Sequence, residues 1–568
     1  MSRVRFFASA RTQALVSLLV LAAFFIHGAA RGAGRFYGEV AFANSGASAA
    51  QADFTEGLAL LHDFEYPLAA AAFQRAETAD PGFAMAYWGE AMTFNHAIWM
   101  QQNLAGARAA LNKLAPSTAE RLAKAKTDRE RAYLEAVEIL YGKGGKFERD
   151  RQYEEAMRKV HERYLDDIDA SAFYGLAVLG TAHAGRDTAI YMRAASVLED
   201  AWLDHREHPG LVHYLIHCYD DPAHAPLGLR TARIYGRIAP DAPHALHMTS
   251  HIFLALGMWP ETVDANVAAI RSANDRRVAQ GKKAVHWGHY PLWLAYAYLQ
   301  LGKADEARRM LMECRADVEA EADSNPAGSA LDPDESASGA LANMRLRYLI
   351  DTGNWQSEAV SWPAPKTLGP RGRLDFAFAD VLTWIGRGQS AEARTLLIGL
   401  EATGQEVTRE AENIPAESGP RGARPSEQAT TKQANPDPTE RVRPEILLLQ
   451  ARGLLAELDG DLGEAEKLLS QAAGLEERLP IAFGPPTIEK PTHELLGQFL
   501  LRHGRAGEAR VQFEKALTRT PGRRVARQGW RAAEAVASPS LAAVDERVEE
   551  PGGAVPENDP ICGLPARH

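Results

Sequence analysis

The sequence predicts an all-α solenoid, a stack of helical hairpins in which each unit packs on the next. Two observations lead there directly. The same pattern of small, aromatic and proline positions recurs at both ends of the chain, and the segments between are amphipathic with helical spacing. A third is negative: no alternating Val- or Ile-rich run reads as a strand. A chain of 568 residues with 46% hydrophobic content can fill large cores, and a solenoid needs no division into separate globular domains.

Residues 1–30 read as an address. Arg3, Arg5 and Arg11 form a positive start, the stretch from Ala14 to Ile26 is apolar apart from Ser17, and Gly28-Ala29-Ala30 offers the small residues of a signal-peptidase site. The apolar stretch is short against the roughly 20 residues that span a bilayer. The expectation is therefore a cleaved signal peptide, a mature chain from Arg31, a periplasmic or secreted location, and no integral membrane protein after cleavage. The alternative is an uncleaved N-terminal anchor. Removing three arginines and no acid takes the formal charge from −11 to about −14, which excludes general nucleic-acid binding. Three cysteines, Cys218, Cys314 and Cys562, make no disulfide framework.

The clearest hairpins lie at opposite ends. In the segment from Pro491 to Pro521, Gly497 marks a close helix approach, and Ala509, Phe513 and Ala516 share one face of the second helix. Gly57, Ala69, Phe73, Ala76 and Pro81 repeat those residue types at identical offsets. The pattern resembles the tetratricopeptide (TPR) repeat, whose small residues admit close contact and whose aromatic fills the gap between neighbours. More degenerate copies run from His251 to Ile270, Leu294 to Cys314, Phe378 to Leu397 and Ala451 to Ala473. At about 34 residues per unit, roughly eight to ten hairpins are expected.

Composition breaks set the boundaries. Residues 31–402 read as an N-terminal array with a histidine-rich centre, 403–440 as a disordered insertion without apolar periodicity, 441–536 as C-terminal repeats, and 537–568 as a disordered tail rich in Pro, Gly and acid. Asp317 to Gly339, acidic and rich in Ser and Pro, reads as a surface loop.

Ten of the 18 histidines fall between His205 and His289. PGLVHYLIH from Pro209 aligns with PHALHMTSH from Pro243, so that His213 matches His247 and His217 matches His251, each 34 residues on; His183 lies 34 before His217. Each pair is spaced i, i+4 and projects from one helix face, and His244 lies near the face of the second pair. First helices of adjacent repeats pack about 8–10 Å apart, so the two pairs are expected to converge. Paired imidazoles at that spacing chelate transition metals, and zinc, iron and copper all accept them. His213, His217, His247, His251, His183 and His244 are thus candidate metal ligands, with Asp220 and Asp221 as ligands or as acceptors behind the rings. The same histidines also fit buried packing positions, where a neutral ring bonded to a carbonyl is ordinary.

His96 and Trp99, Tyr214, and His286 and His289 are further candidate lining or binding residues, His96 being read at the end of an early first helix. Haem attachment is unsupported without C-x-x-C-H, and no phosphate-cradling loop points to a nucleotide.

Taken whole, the chain resembles exported bacterial tetratricopeptide-repeat proteins, through AMAYWGEAMTFNHAIW, HPGLVHYLIHCYDDPAHA, IAPDAPHALHMTSHIFLALGMW and GPPTIEKPTHELLG. The resemblance implies a superhelix whose concave groove takes a peptide or protein partner, and it supplies no catalytic residue. Two readings follow. One is an exported scaffold, with or without a histidine-bound metal. The other is a metal-dependent enzyme, a hydrolase or oxidoreductase, acting at the histidine cluster.

Overall fold

The computed structural model describes residues 35–321, 334, 336–412, 438–481 and 483–537. They form 23 α-helices, two 3-10 turns and one two-stranded ladder of two-residue strands. The helices are α1 (Ser48–His62), α2 (Tyr66–Ala79), α3 (Ala84–Met92), α4 (Leu104–Leu114), α5 (Thr118–Lys124), α6 (Asp128–Leu140), α7 (Lys146–Arg163) and α8 (Ile168–Leu179). The central group is α9 (Thr188–Trp202), α10 (Pro209–Tyr219), α11 (Ala225–Ile238), α12 (Pro243–Ala255), α13 (Trp259–Ala279), α14 (His289–Gln300) and α15 (Ala304–Glu321). The array ends with α16 (Ala337–Thr352), α17 (Pro370–Gly386), α18 (Ser390–Glu412), α19 (Pro438–Asp459), α20 (Leu462–Glu477), α21 (Thr492–Arg502), α22 (Ala506–Arg519) and α23 (Arg524–Ala537). Consecutive helices pack on each other, and first helices also touch across hairpins, as α8 with α10, α10 with α12, and α21 with α23. This is an all-α solenoid of TPR-type hairpins. No helix among the described residues is long and apolar enough to cross a membrane.

The repeat pattern has a steric cause. A Cβ on Gly57 or Gly89 would lie 2.9 or 2.3 Å from the Phe73 ring, and one on Gly497 or Gly529 the same distances from Phe513. Each phenylalanine, on a second helix, therefore fills a slot that glycines on two successive first helices leave open, which lets those helices close on one ring.

Two apolar cores result. One runs from Tyr37 to Ala255 and the other from Leu292 to Ala533, with a small cluster of Leu254, Trp259, Trp293, Tyr296 and Ala297 where they meet. The first part folds back on itself: α1 packs against α10, and Tyr235 donates a hydrogen bond to Asp63 at 2.8 Å. The second does likewise, with Trp259 Nε1 donating to the Gly522 carbonyl at 2.9 Å, and Arg523 paired with both Asp351 and Glu494. Helix α10 is consequently buried along its whole length.

Several boundaries differ from the sequence expectation. Helix α18 continues to Glu412 and α19 begins at Pro438, so Thr403–Glu412 and Pro438–Glu440 are helical rather than part of a structureless insertion. Leu400, Gly404, Val407 and Ala411 carry α18 onward as a buried stripe. Likewise α15 reaches Glu321 and α16 starts at Ala337, so the loop expected over 317–339 is helical at both ends. The ladder pairs Asn95 with Gln102 and His96 with Gln101, which places His96 beyond α3 rather than at a helix end. Strands of two residues are too short to show alternation in sequence. The signal segment, residues 413–437 and the tail from 538 lie outside the described residues.

Candidate metal centre

Helices α10, α12 and α14 carry the histidines to the seam between the two cores. Proline opens α10 and α12 at the first helical position, where its fixed φ suits the turn and its missing N–H costs nothing. The i, i+4 pairs then close as expected: His213 Nε2 lies 3.1 Å from His217 Nε2, and His247 Nε2 lies 3.1 Å from His251 Nε2. The pairs are neighbours, with the His217 and His251 rings 6.2 Å apart.

Six histidines gather here in two triads. His213 and His217 converge with His244, and His247 and His251 converge with His289, the potential ligand atoms of each triad lying within 4.8 Å of one another. His244 is the second residue of α12 and His289 the first of α14. Each triad therefore combines a pair from one first helix with the opening turn of the next. His213, His217, His247 and His251 are buried, His244 is partly buried and His289 is exposed.

The hydrogen bonds behind the second triad fix its tautomers. His247 Nδ1 lies 2.7 Å from Asn266 Oδ1, while Asn266 Nδ2 donates to the Thr262 carbonyl at 2.8 Å; this orients the amide and makes its oxygen the acceptor. His251 Nδ1 faces the Asp220 carboxylate and His289 Nδ1 that of Asp334. An oxygen that only accepts requires N–H at all three Nδ1 positions, so each ring, when neutral, presents its lone pair at Nε2. The neutral His247 ring thus aims an acceptor at His251 Nε2 across 3.1 Å. With metal–nitrogen bonds of about 2.0–2.1 Å, that separation subtends an angle of about 100° at an ion, between the octahedral and tetrahedral values. The residues fit a transition metal.

In the first triad, His213 Nδ1 donates to the His62 carbonyl at 2.6 Å, which likewise frees its Nε2. Phe64 packs on the His213 ring at 4.3 Å, and Trp99 on His217 and His244 at 6.5 and 6.1 Å. Burial, reinforced by neighbouring imidazoles, holds His213, His217 and His247 well below the ordinary imidazole value, so these rings stand neutral and able to ligate.

A third group, His62, Asp169 and His208, closes without an ion. His208 Nδ1 accepts from the Leu211 amide and its Nε2 donates to Asp169; His62 Nε2 donates to Asp169 at 2.8 Å and its Nδ1 accepts from the Tyr214 hydroxyl at 2.9 Å. Burial works against the Asp169 charge, but the bonds from His208 and His62 outweigh it and hold the carboxyl well below its ordinary range. Every polar atom named here has its partner, so this group is structural.

The remaining candidates divide. His183 lies in neither triad: it stacks on Phe147 and bonds to Asp150, because its helix, α8, ends before it. His286 is held by Asp317, His96 stacks on Tyr66 at 4.0 Å, and Asp221 binds Arg186 and His224 instead of a ligating ring. His289, read as a lining residue, joins the second triad. Asn266, Asp334, His62 and Phe64 were not singled out in the sequence. Only Asn266 left a signal there: it follows His247 by 19 residues, as Gln512 follows His493, and Gln512 Oε1 likewise accepts from its histidine, at 2.7 Å.

No protein-family model matches the chain, and no curated protein does. Among solved structures, the TPR domain of P58(IPK) is similar at 13% identity over 88% of this chain and 99% of that one, with a TM-score of 0.21. Yeast Tom70 is similar at 10% identity over 86% and 89% of the two chains, with a TM-score of 0.29. Naa15/Naa10 bound to HypK-THB is similar at 13% identity over 82% and 68%, with a TM-score of 0.22. Superpositions this loose carry nothing about the site, and the solenoid assignment stands on the chain's own hairpins.

Proposed function

We propose that this chain is a transition-metal protein on a TPR-type scaffold, with its centre at His247, His251 and His289. One observation carries the reading. The His247 and His251 Nε2 atoms, each opposite an Nδ1 held by an acceptor, stand 3.1 Å apart, a separation that two neutral rings satisfy only around a cation. Three protein ligands with an exposed edge at His289 suit a centre that keeps one position for water or a substrate, as catalytic sites do. An all-imidazole set suits zinc, copper or iron over magnesium or calcium. The full chain, purified without a histidine tag, is expected to hold a first-row metal or to take up Zn²⁺ after chelation, and His247→Ala/His251→Ala to lose that uptake. Tag-free protein that carries none and takes up none overturns the reading.

Export supplies its setting in this proposal, on the strength of the Arg-rich start and apolar stretch of residues 1–30. Native material is expected to begin near Arg31; Met1 or Ser2 recovered from a soluble cytoplasmic fraction contradicts it.

A second reading, a scaffold for a peptide or protein partner, draws on the solenoid architecture. The two separate on one variant: a scaffold keeps its partner when His247 and His251 are replaced.

A further inference from the structure

The first triad repeats the design of the second. His213 and His217 sit one 34-residue repeat before His247 and His251, their Nε2 atoms stand at the same 3.1 Å, and the third imidazole again comes from the opening turn of the next first helix. His213 has its tautomer fixed by the His62 carbonyl, which delivers a lone pair to the shared space. The two triads adjoin: besides the His217–His251 contact, the His244 and His247 rings lie 6.4 Å apart.

The backbone around the first triad is strained toward it. Among the described residues, the non-glycine positions with positive φ are Phe64 (56°) and Met100 (54°). Phe64 packs on His213, His217 and His244, and Met100 follows Trp99, which meets His217 and His244. A left-handed conformation is costly for a bulky residue and persists where surrounding packing enforces it, which happens most at functional sites.

Resting on the reading of the second triad as a metal site, we propose that His213, His217 and His244 hold a second transition-metal ion, so that the chain carries a two-metal centre with three imidazoles on each ion. Charge indicates what such a centre takes. Six neutral ligands leave two divalent ions uncompensated: Asp220 and Asp334 stand behind the rings, and Glu65, which accepts from the His244 amide, is paired with Arg276. A small anionic oxygen donor placed between the ions, such as hydroxide or the oxyanion of a substrate, supplies the missing charge.

The test uses the metal-free full chain titrated with Cu²⁺. Two equivalents are expected in the native chain, and one each in His217→Ala and in His251→Ala. His244→Ala, at a partly exposed helix start, serves as a milder first-triad variant, with circular dichroism confirming the helices. Spin coupling within the pair is expected to lower the doubly integrated EPR signal as the second equivalent binds. One equivalent in the native chain, kept by His217→Ala and His244→Ala and lost in His251→Ala, overturns the second site and leaves the first standing; a proton on His217 Nε2 then accounts for its contact with His213. No uptake by the native chain overturns both. Two equivalents with fully additive, uncoupled signals overturn the paired centre.

Discussion

An imidazole offers one donor and one acceptor, so whatever holds one nitrogen decides what the other can do. At His247 the decision belongs to Asn266, itself oriented by the Thr262 carbonyl. Asn266→Leu removes the acceptor while keeping apolar volume, freeing the ring to change tautomer and turn. Zn²⁺ affinity is expected to fall about 10- to 100-fold with the helices intact; unchanged affinity would show that the amide has no hold on the ligand. The spacing of the paired histidines is legible in sequence because i, i+4 and 34-residue periods are local or repeated. The His62 carbonyl lies 151 residues from His213, a separation that no periodicity announces. His96 gives a prediction of a different kind. Burial, only partly opposed by its bond to the Thr93 carbonyl, holds this ring down to about 4 from an ordinary value of 6.5. Between those values the unfolded chain binds more protons than the folded one, so stability falls as pH drops from about 6.5 towards 4. His96→Gln is expected to flatten that part of the melting-temperature profile. Parallel profiles for the two proteins would contradict it.

At the scale of the hairpin, one phenylalanine and two glycines make the joint. Phe513 is fully buried between Gly497 and Gly529, and its replacement leaves a cavity that two rigid helices cannot collapse. Phe513→Ala is expected to cost about 3–5 kcal/mol, concentrated in the last repeats. Hydrogen exchange should show protection lost over 492–537 and kept over 209–255; a uniform loss, or a cost below about 1 kcal/mol, would mean that the ring is not the joint. These hairpins were readable because glycine, aromatic and proline keep their offsets. The far end of α18 was not, because polar residues separate Leu400, Gly404, Val407 and Ala411, and the run reads as charged before its buried stripe is seen. Likewise, nothing in the sequence around α15 marks where Asp334 meets His289, a contact 45 residues long in sequence that supplies the last tautomer lock.

Over the whole molecule, the solenoid brings the end of one core against the start of another, and the histidines occupy that seam. The closures that shape it join residues far apart, Asp63 to Tyr235 and Trp259 to Gly522, so a repeat count predicts the number of hairpins but not their return contacts. Six imidazoles at such a junction cost desolvation and conformational freedom, and a bound cation offsets that cost by turning facing lone pairs into bonds. Diffraction from crystals of the Zn²⁺-loaded full chain, recorded on both sides of the zinc absorption edge, examines this claim at the atoms concerned. An anomalous peak is expected about 2.0–2.1 Å from the Nε2 atoms of His247, His251 and His289, with Asn266, Asp220 and Asp334 still on the Nδ1 side. Zinc found only at other residues, or the His247 and His251 nitrogens joined by a proton with no ion beside them, would contradict it.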